Sequence, residues 1–382
     1  MRILHIVRGL EPELGGPPRF VVALTSALKD IGVESTIFAT APPEDIEQTI
    51  QAPDANVQLF KRGRLANYWP GHSPAMRREL DQKVNQFDVV NIHELWHHPN
   101  YVATRAAVRN NIPVVVSPHG GYNPIALEKG RLKKRVYSAM FQRHSTALST
   151  HFHALTEREA QDTADNVKGF DIQVIFAGVN PAEFRILPDP DDFDQIHPEV
   201  KGKKVILFMG RLNRVKGLDI LVEGFKIATN GRNDLHLVIA GPDEGYGATV
   251  RGLVSTASLE SKVSFIGPIY GEAKQTALSR ADVFALMSYG EGFSMAILEA
   301  LAASLPVIIS KECNFPAIRD SGAGMEINLD PKEFAKSLTQ VLDDPSLLRK
   351  MEVKARDLAA GPYSRDTLGA SFQKLYRGII RS

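Results

Sequence analysis

Short apolar runs rich in β-branched residues recur along this chain, and most are followed by a stretch with helical spacing, which limits it to alternating α/β architectures. The first run, "RILHIV" (residues 2–7), leads through a glycine-bearing loop into "PPRFVVALTSALKDIG". There Phe20, Ala23, Leu24, Ala27 and Leu28 share one helical face, with prolines at the first turn. Further runs stand at 33–40, "FDVVNIH" (87–93), "IPVVVSPHG" (112–120), "THFHALT" (150–156) and "IQVIFAGV" (172–179). Strands alternating with helices predict a mostly parallel sheet covered on both faces.

The stretch "NPAEFRILPDPDDFDQIHPEVKGKK" (180–204) is dense in proline and acid and reads as a linker. A second series then begins: "KVILFMG", "HLVIAG", "KVSFIG", "VFALMS", "LPVIIS" and "GAGMEI". With 382 residues, the chain divides into an N-terminal domain over 1–180, a linker over 181–204, a C-terminal domain over 205–364 and a last helix over 365–382. Both domains have the pattern of doubly wound sheets, whose ligands sit at the carboxyl ends of the strands, so the cleft between them is the expected site.

Composition narrows the class further. A net charge of +1 gives no general affinity for nucleic acid. Cys313 is the only cysteine, so neither a disulfide framework nor a thiolate zinc site is expected, which suits a reducing compartment. The start "MRILHIVRGL" falls short of an export signal and no run has the length of a membrane span, so the expectation is a cytoplasmic protein.

Chemistry concentrates in "YGEGFSMAILEALAASLPVIIS". Glu291 lies between Gly290 and Gly292 in a loop, Ser294 is positioned to cap, and an almost wholly apolar helix from Met295 carries one carboxylate, Glu299. A buried carboxylate needs donors. A ribose diol would supply two, and pairing with an arginine at the domain surface is the alternative. The loop's N–H groups at the helix start offer an anion site.

In "FMGRLNRVKGLDILV", Arg211 and Lys216 share a loop between strand and helix, where two cations suit a diphosphate without a metal, or form an ordinary solvated basic loop. His119 ends a strand in "VVVSPHGGY", within reach of a sugar hydroxyl or leaving phosphate, or satisfied by loop backbone. Gly15 and Gly16 precede a helix start, where backbone approaches a phosphate or an acceptor, but the loop is not a G-x-G-x-x-G dinucleotide fingerprint.

Taken together, Gly15-Gly16, "SPHGG", "GRLNRVKG" and "EGFSMAILEALAASLPVIIS" resemble the retaining glycosyltransferases of family 4, with Glu291 and Glu299 as their E-x7-E motif. The resemblance spans residues 1–310 and implies the GT-B fold: two Rossmann-like α/β domains facing a central cleft, the N-terminal one for acceptor and the C-terminal one for nucleotide sugar. It implies that Arg211 and Lys216 bind the donor diphosphate, with Gly16 on the same ligand, and that Glu299 holds the ribose. Glu291 and the backbone of Gly292, Phe293 and Ser294 would hold the sugar and phosphates. Backbone around Ile266 would frame the base, and His119 would contact the sugar near the reacting carbon. Such enzymes retain anomeric configuration and need no cofactor or divalent metal. The expected partners are a UDP- or GDP-sugar and a saccharide or lipid-linked acceptor of polysaccharide or glycolipid assembly. The chain departs from the family where "FAGVNP" (176–181) replaces the usual Asn-Gly pair, and where only "GPYSRDTL" precedes the last helix.

Other motifs have competing readings. "HELWHHPN" (93–100) has the letters of a zinc-protease helix, but it follows a strand and meets Pro99, so it reads as a strand-to-helix loop ahead of a helix near Asn100. His93, Glu94 and Trp96 then become an acceptor-side wall, with Trp96 stacking on a sugar or packing under its loop. "DPDD" (189–192) reads as a solvated turn. The basic segment 129–144, with Lys133, Lys134 and Arg135, suits an anionic membrane surface or a lipid-linked diphosphate, or is a plain surface helix. A glycosidase fits poorly, because eight positions would separate the two carboxyls by about 12 Å if both were helical, which suits two ends of one long ligand better. A sugar-nucleotide 2-epimerase and a non-catalytic sugar binder are the remaining rivals.

Overall fold

The computed structural model describes residues 1–42, 49–128, 134 and 151–381. The chain forms two compact units: Met1–Gly178 together with Arg365–Ser382, and Val179–Ser364.

The first unit carries seven strands: β1 (Arg2–Val7), β2 (Glu34–Ala41), β3 (Asn56–Lys61), β4 (Val89–His93), β5 (Val114–Ser117), β6 (His151–Ala154) and β7 (Ile172–Val174). All pair in parallel in the order β3-β2-β1-β4-β5-β6-β7. Central strands are buried and mostly apolar because both faces are covered: Ile3, Leu4, Ile6, Val89, Val90, Val114 and Val115 are all buried. The helix Arg365–Arg381 belongs to this unit, where Arg365 pairs with Asp30 at 2.9 Å and Gly369 lies so close to the Gly16–Asp30 helix that an added Cβ would stand 2.7 Å from the Ala27 carbonyl. β3 escapes the sequence reading because it is a half-buried edge strand, "NVQLFK", with polar residues among its apolar ones.

The second unit carries six strands: β8 (Lys204–Met209), β9 (Leu235–Ala240), β10 (Val263–Gly267), β11 (Val283–Leu286), β12 (Val307–Ser310) and β13 (Gly324–Ile327). Their order is β10-β9-β8-β11-β12-β13, again all parallel.

One expectation needs correcting. Residues 181–204 are not a bare linker; they belong to the second unit, with short helices at Pro181–Phe184, Pro190–Ile196 and Pro198–Val200. Phe193 and Val200 are buried, and Arg280 anchors the segment through Asp194 at 2.5 Å and the Val200 carbonyl at 2.9 Å. Three of its four prolines, Pro181, Pro190 and Pro198, occupy helix first turns, where a missing N–H costs nothing. Asp189 of "DPDD" caps one of these helices by accepting from Asp191 N.

Candidate active site

In the second unit the residues singled out from sequence gather at the carboxyl ends of β8 and β11. The loop after β8 is fastened to the loop after β11: Tyr289 N and Ser288 Oγ both donate to the Val215 carbonyl, at 2.7 and 2.8 Å. Gly217 makes this closeness feasible, since it has φ +61° and a Cβ there would stand 1.6 Å from the Met287 carbonyl oxygen. The result is a contact between Lys216 Nζ and Glu291 Oε1 at 2.6 Å, with side chains 16% and 9% exposed. Asn314, at φ 54°, holds the same loop by donating to the Glu291 carbonyl at 2.9 Å.

Glu299 projects from the helix Met295–Ala302, whose Ile297, Leu298, Ala300 and Leu301 are fully buried. Its partner is Lys274, on the helix Gly271–Arg280, at 2.7 Å. Pairing with a cation is thus seen, but with a lysine where the sequence suggested an arginine. Arg211 is paired with Glu244 at 2.6 Å, and Asn213 donates to the other Glu244 oxygen at 2.8 Å. Ser294 stands at the N-cap, yet its side chain makes no capping bond, so Ser294 Oγ does not satisfy the first N–H groups of that helix. Gly292 and Phe293 lie half-buried in the same loop, with Phe293 against Phe315 at 5.4 Å between ring centroids. Ile266 falls where β10 slips register against β9, between Phe265 and Gly267. Cys313 lies beneath, its thiol pushed up to about 12 by burial and the charge of Glu291, which leaves it unreactive.

In the first unit three non-glycine residues with positive φ fall in two neighbouring loops: Glu94 (66°) and Trp96 (68°) after β4, and His119 (51°) after β5. Such backbone is uncommon and gathers at functional positions. Gly120 N donates to Glu159 Oε1 at 2.6 Å, and Leu155 N to Glu159 Oε2 at 2.7 Å, so this buried carboxyl ties down the His119 loop. Burial pushes Glu159 up to about 7, against the two N–H donors. Gly15, at φ 82°, turns the chain into the helix that begins at Gly16, where an added Cβ would meet none of the described residues within 4 Å.

The acceptor-side wall needs revision. His93 ends β4 fully buried, with His5 at 3.2 Å from one ring nitrogen and His119 at 3.1 Å from the other. Trp96 donates to the Gly121 carbonyl at 3.3 Å and meets Tyr122 edge-on at 6.0 Å, which is the packing alternative. The following helix starts at His98, with Pro99 in its first turn. His93 therefore sits on a strand and His97 before a helix, so the two do not share a helix face as a zinc-protease motif requires. Glu94 keeps one carboxylate oxygen buried without a partner among the described residues. Lys133, like the basic segment except Lys134, lies outside the described residues.

Lys274, Glu244, Asn213, Asn314 and Glu159 were not singled out from sequence. Each is an ordinary polar residue in an ordinary helix or loop, and only the folded chain brings it to its partner. Among the described residues no cluster of three or more His, Cys, Asp or Glu is placed to hold a metal ion, and no helix is long and apolar enough to cross a membrane.

Two all-parallel α/β units, the second holding the pairs Lys216–Glu291 and Lys274–Glu299, have the architecture of a GT-B glycosyltransferase. Residues 14–183 match the family described as Glycosyltransferase Family 4, and residues 189–358 the one described as Glycosyl transferases group 1; the chain carries a domain of each. It is 24% identical to a D-inositol 3-phosphate glycosyltransferase of Streptomyces coelicolor, over 97% of this chain and 88% of that protein. It is also 24% identical to a GDP-mannose:cellobiosyl-diphosphopolyprenol alpha-mannosyltransferase of Xanthomonas oryzae pv. oryzae, over 90% and 87%. Among solved structures, Anabaena HepE in complex with UDP and glucose superimposes with a TM-score of 0.78 at 17% identity, covering 99% of this chain and 100% of that one.

Proposed function

We propose that this glycosyltransferase moves a hexose from a UDP- or GDP-sugar, with retention of anomeric configuration and without a divalent metal, to a saccharide or lipid-linked acceptor. The observation that carries the reading is that both carboxylates of the E-x7-E motif are paired with lysines, Glu291 with Lys216 at 2.6 Å and Glu299 with Lys274 at 2.7 Å. An ammonium has three donors, so Lys216 keeps one on Glu291 and turns the others to diphosphate oxygens. Arg211 adds a planar donor set. Together they stabilise the negative charge that grows on the departing diphosphate, the task a metal performs elsewhere. Glu291 is then fixed to accept from sugar hydroxyls, Glu299 from the ribose diol, and the helix start at Ser294 takes phosphate oxygens. The leaving phosphate, on the face from which the acceptor attacks, takes the acceptor's proton.

The relatives support a nucleotide sugar, since one is named for GDP-mannose and HepE was solved with UDP-glucose. The first of these acts on a diphosphopolyprenol, which favours a lipid-linked acceptor in polysaccharide or glycolipid assembly, met from the cytoplasmic side of a membrane. The test is NMR of the full chain with UDP-glucose or GDP-mannose, EDTA and a panel of acceptors. Acceptor-dependent release of nucleoside diphosphate and an α-linked product are expected. Interconversion of the sugar without acceptor would establish a 2-epimerase instead, and binding without turnover across the panel a sugar-binding protein.

A further inference from the structure

Behind His119 stands a row of imidazoles that the transfer chemistry does not use. His5 lies on β1, His93 ends β4, and His119 follows β5; these three strands are neighbours in the sheet. His5 Nδ1 is 3.2 Å from His93 Nε2, and His93 Nδ1 is 3.1 Å from His119 Nε2. The rings step along at 5.4 and 5.3 Å between centroids. Phe20 packs against His93 and His119, at 6.0 and 5.0 Å, and His5 and His93 are 0% exposed. Burial keeps all three rings neutral.

A neutral imidazole carries one N–H and one bare nitrogen, and each contact needs one of each. Two arrangements satisfy the row. In the first, N–H groups point from His5 to His93 to His119, so that His119 has a bare Nε2 and carries its proton on Nδ1. In the second every proton is on the other nitrogen. The far end decides between them: His5 Nε2 is buried with no hydrogen-bond partner among the described residues. The first arrangement leaves there an unmatched acceptor, the second an unmatched N–H. In buried backbone, N–H groups without a partner are rarer than unmatched acceptors, and the same preference applied to the ring selects the first arrangement.

We propose that His5 and His93 are positioning residues that lock His119 in its Nδ1–H tautomer, so that it meets its ligand as a hydrogen-bond donor to a hydroxyl or phosphate oxygen. A donor with no bare nitrogen left cannot be the base that deprotonates the acceptor, which leaves that task to the departing phosphate. The functional half of this inference rests on the proposed transfer reaction; the tautomer does not.

The test is long-range 1H–15N correlation on the full chain labelled with 15N-histidine, joined to kinetics of two variants. Bare Nε2 and protonated Nδ1 signals are expected for His5, His93 and His119; a protonated Nε2 on His119 overturns the proposal whether or not transfer is observed. His93→Leu removes the donor to His119 Nε2 and should lower kcat at least tenfold with the donor KM within threefold. His93→Gln, whose amide can donate to the same nitrogen, should recover most of that loss. Equal kcat in folded His93→Leu and His93→Gln would contradict a positioning role, and if His93→Leu does not fold the spectrum of the unaltered chain decides.

Discussion

Lys216 and Glu291 are 75 positions apart in the chain, yet their charged ends lie 2.6 Å from each other beneath a loop that only glycine at position 217 allows. The pair joins the two most informative motifs into one site. It also has a stability consequence. Lys216→Met leaves the Glu291 carboxylate largely buried without its cation, and since the pair retains some solvent contact the expected loss is about 2–3 kcal/mol, below the full cost of breaking a buried pair. Adding Glu291→Gln to that variant should return part of the loss, because no unpaired charge remains. Urea unfolding of both single variants and the double variant measures the coupling; additive losses would contradict it.

Glu299 is assigned to the ribose, which every donor nucleotide shares. Glu299→Gln should therefore weaken UDP and GDP by similar factors, about tenfold or more for a loss of 1.4 kcal/mol. Calorimetric titration checks this. A loss confined to one base would move Glu299 away from the ribose.

Acid should destabilise the fold from the first unit. Burial holds His5 and His153 at about 3, His119 at about 4 and His93 well below the ordinary 6.5. Unfolded imidazoles bind protons as the pH falls through 6.5 while the folded ones do not, so each costs up to about 1.4 kcal/mol per pH unit below that point. Glu159 acts oppositely: its pKa is raised from 4.5 to about 7, so its contribution falls as pH rises between those values. Four histidines outweigh one carboxyl, and the urea midpoint should be lower at pH 5.5 than at pH 7.5. An equal or higher midpoint at pH 5.5 would show that these imidazoles take up protons in the folded state.

Trp96 packs against Tyr122 and bonds the Gly121 carbonyl. Trp96→Ala should cost about 2–3 kcal/mol of stability, less than a fully buried Trp, because the ring is only half-buried. Thermal unfolding and acceptor kinetics separate the two readings: a raised acceptor KM with unchanged stability would restore the sugar-stacking role.

The architecture was legible because parallel strands buried on both faces read as β-branched runs, and all six strands of the second series appear where those runs stand. β3 was not, since an edge strand needs apolar residues on fewer sides. The positions of Arg211, Lys216 and Glu291 in loops after strands, and of Glu299 within an apolar helix, followed from their neighbours in sequence. Their partners did not. Glu244, Lys274 and Asn314 reach the site from other loops and helices, and no local spacing marks them. His93 misled because its letters, next to Trp96, suggest an exposed wall, whereas strand β4 turns its ring inward between His5 and His119. Residues 181–204 misled because proline and acid mark helix first turns as well as linkers.

The most direct measurement is nucleotide binding to the full chain and to its Arg211→Ala and Lys216→Ala variants, by calorimetry with UDP and GDP in the presence of EDTA. One nucleotide should bind the unaltered chain without metal, and each variant should bind it at least tenfold more weakly while remaining folded. Undiminished affinity in both variants, or binding that appears only when a divalent metal is supplied, would contradict the assignment of the diphosphate to these two cations.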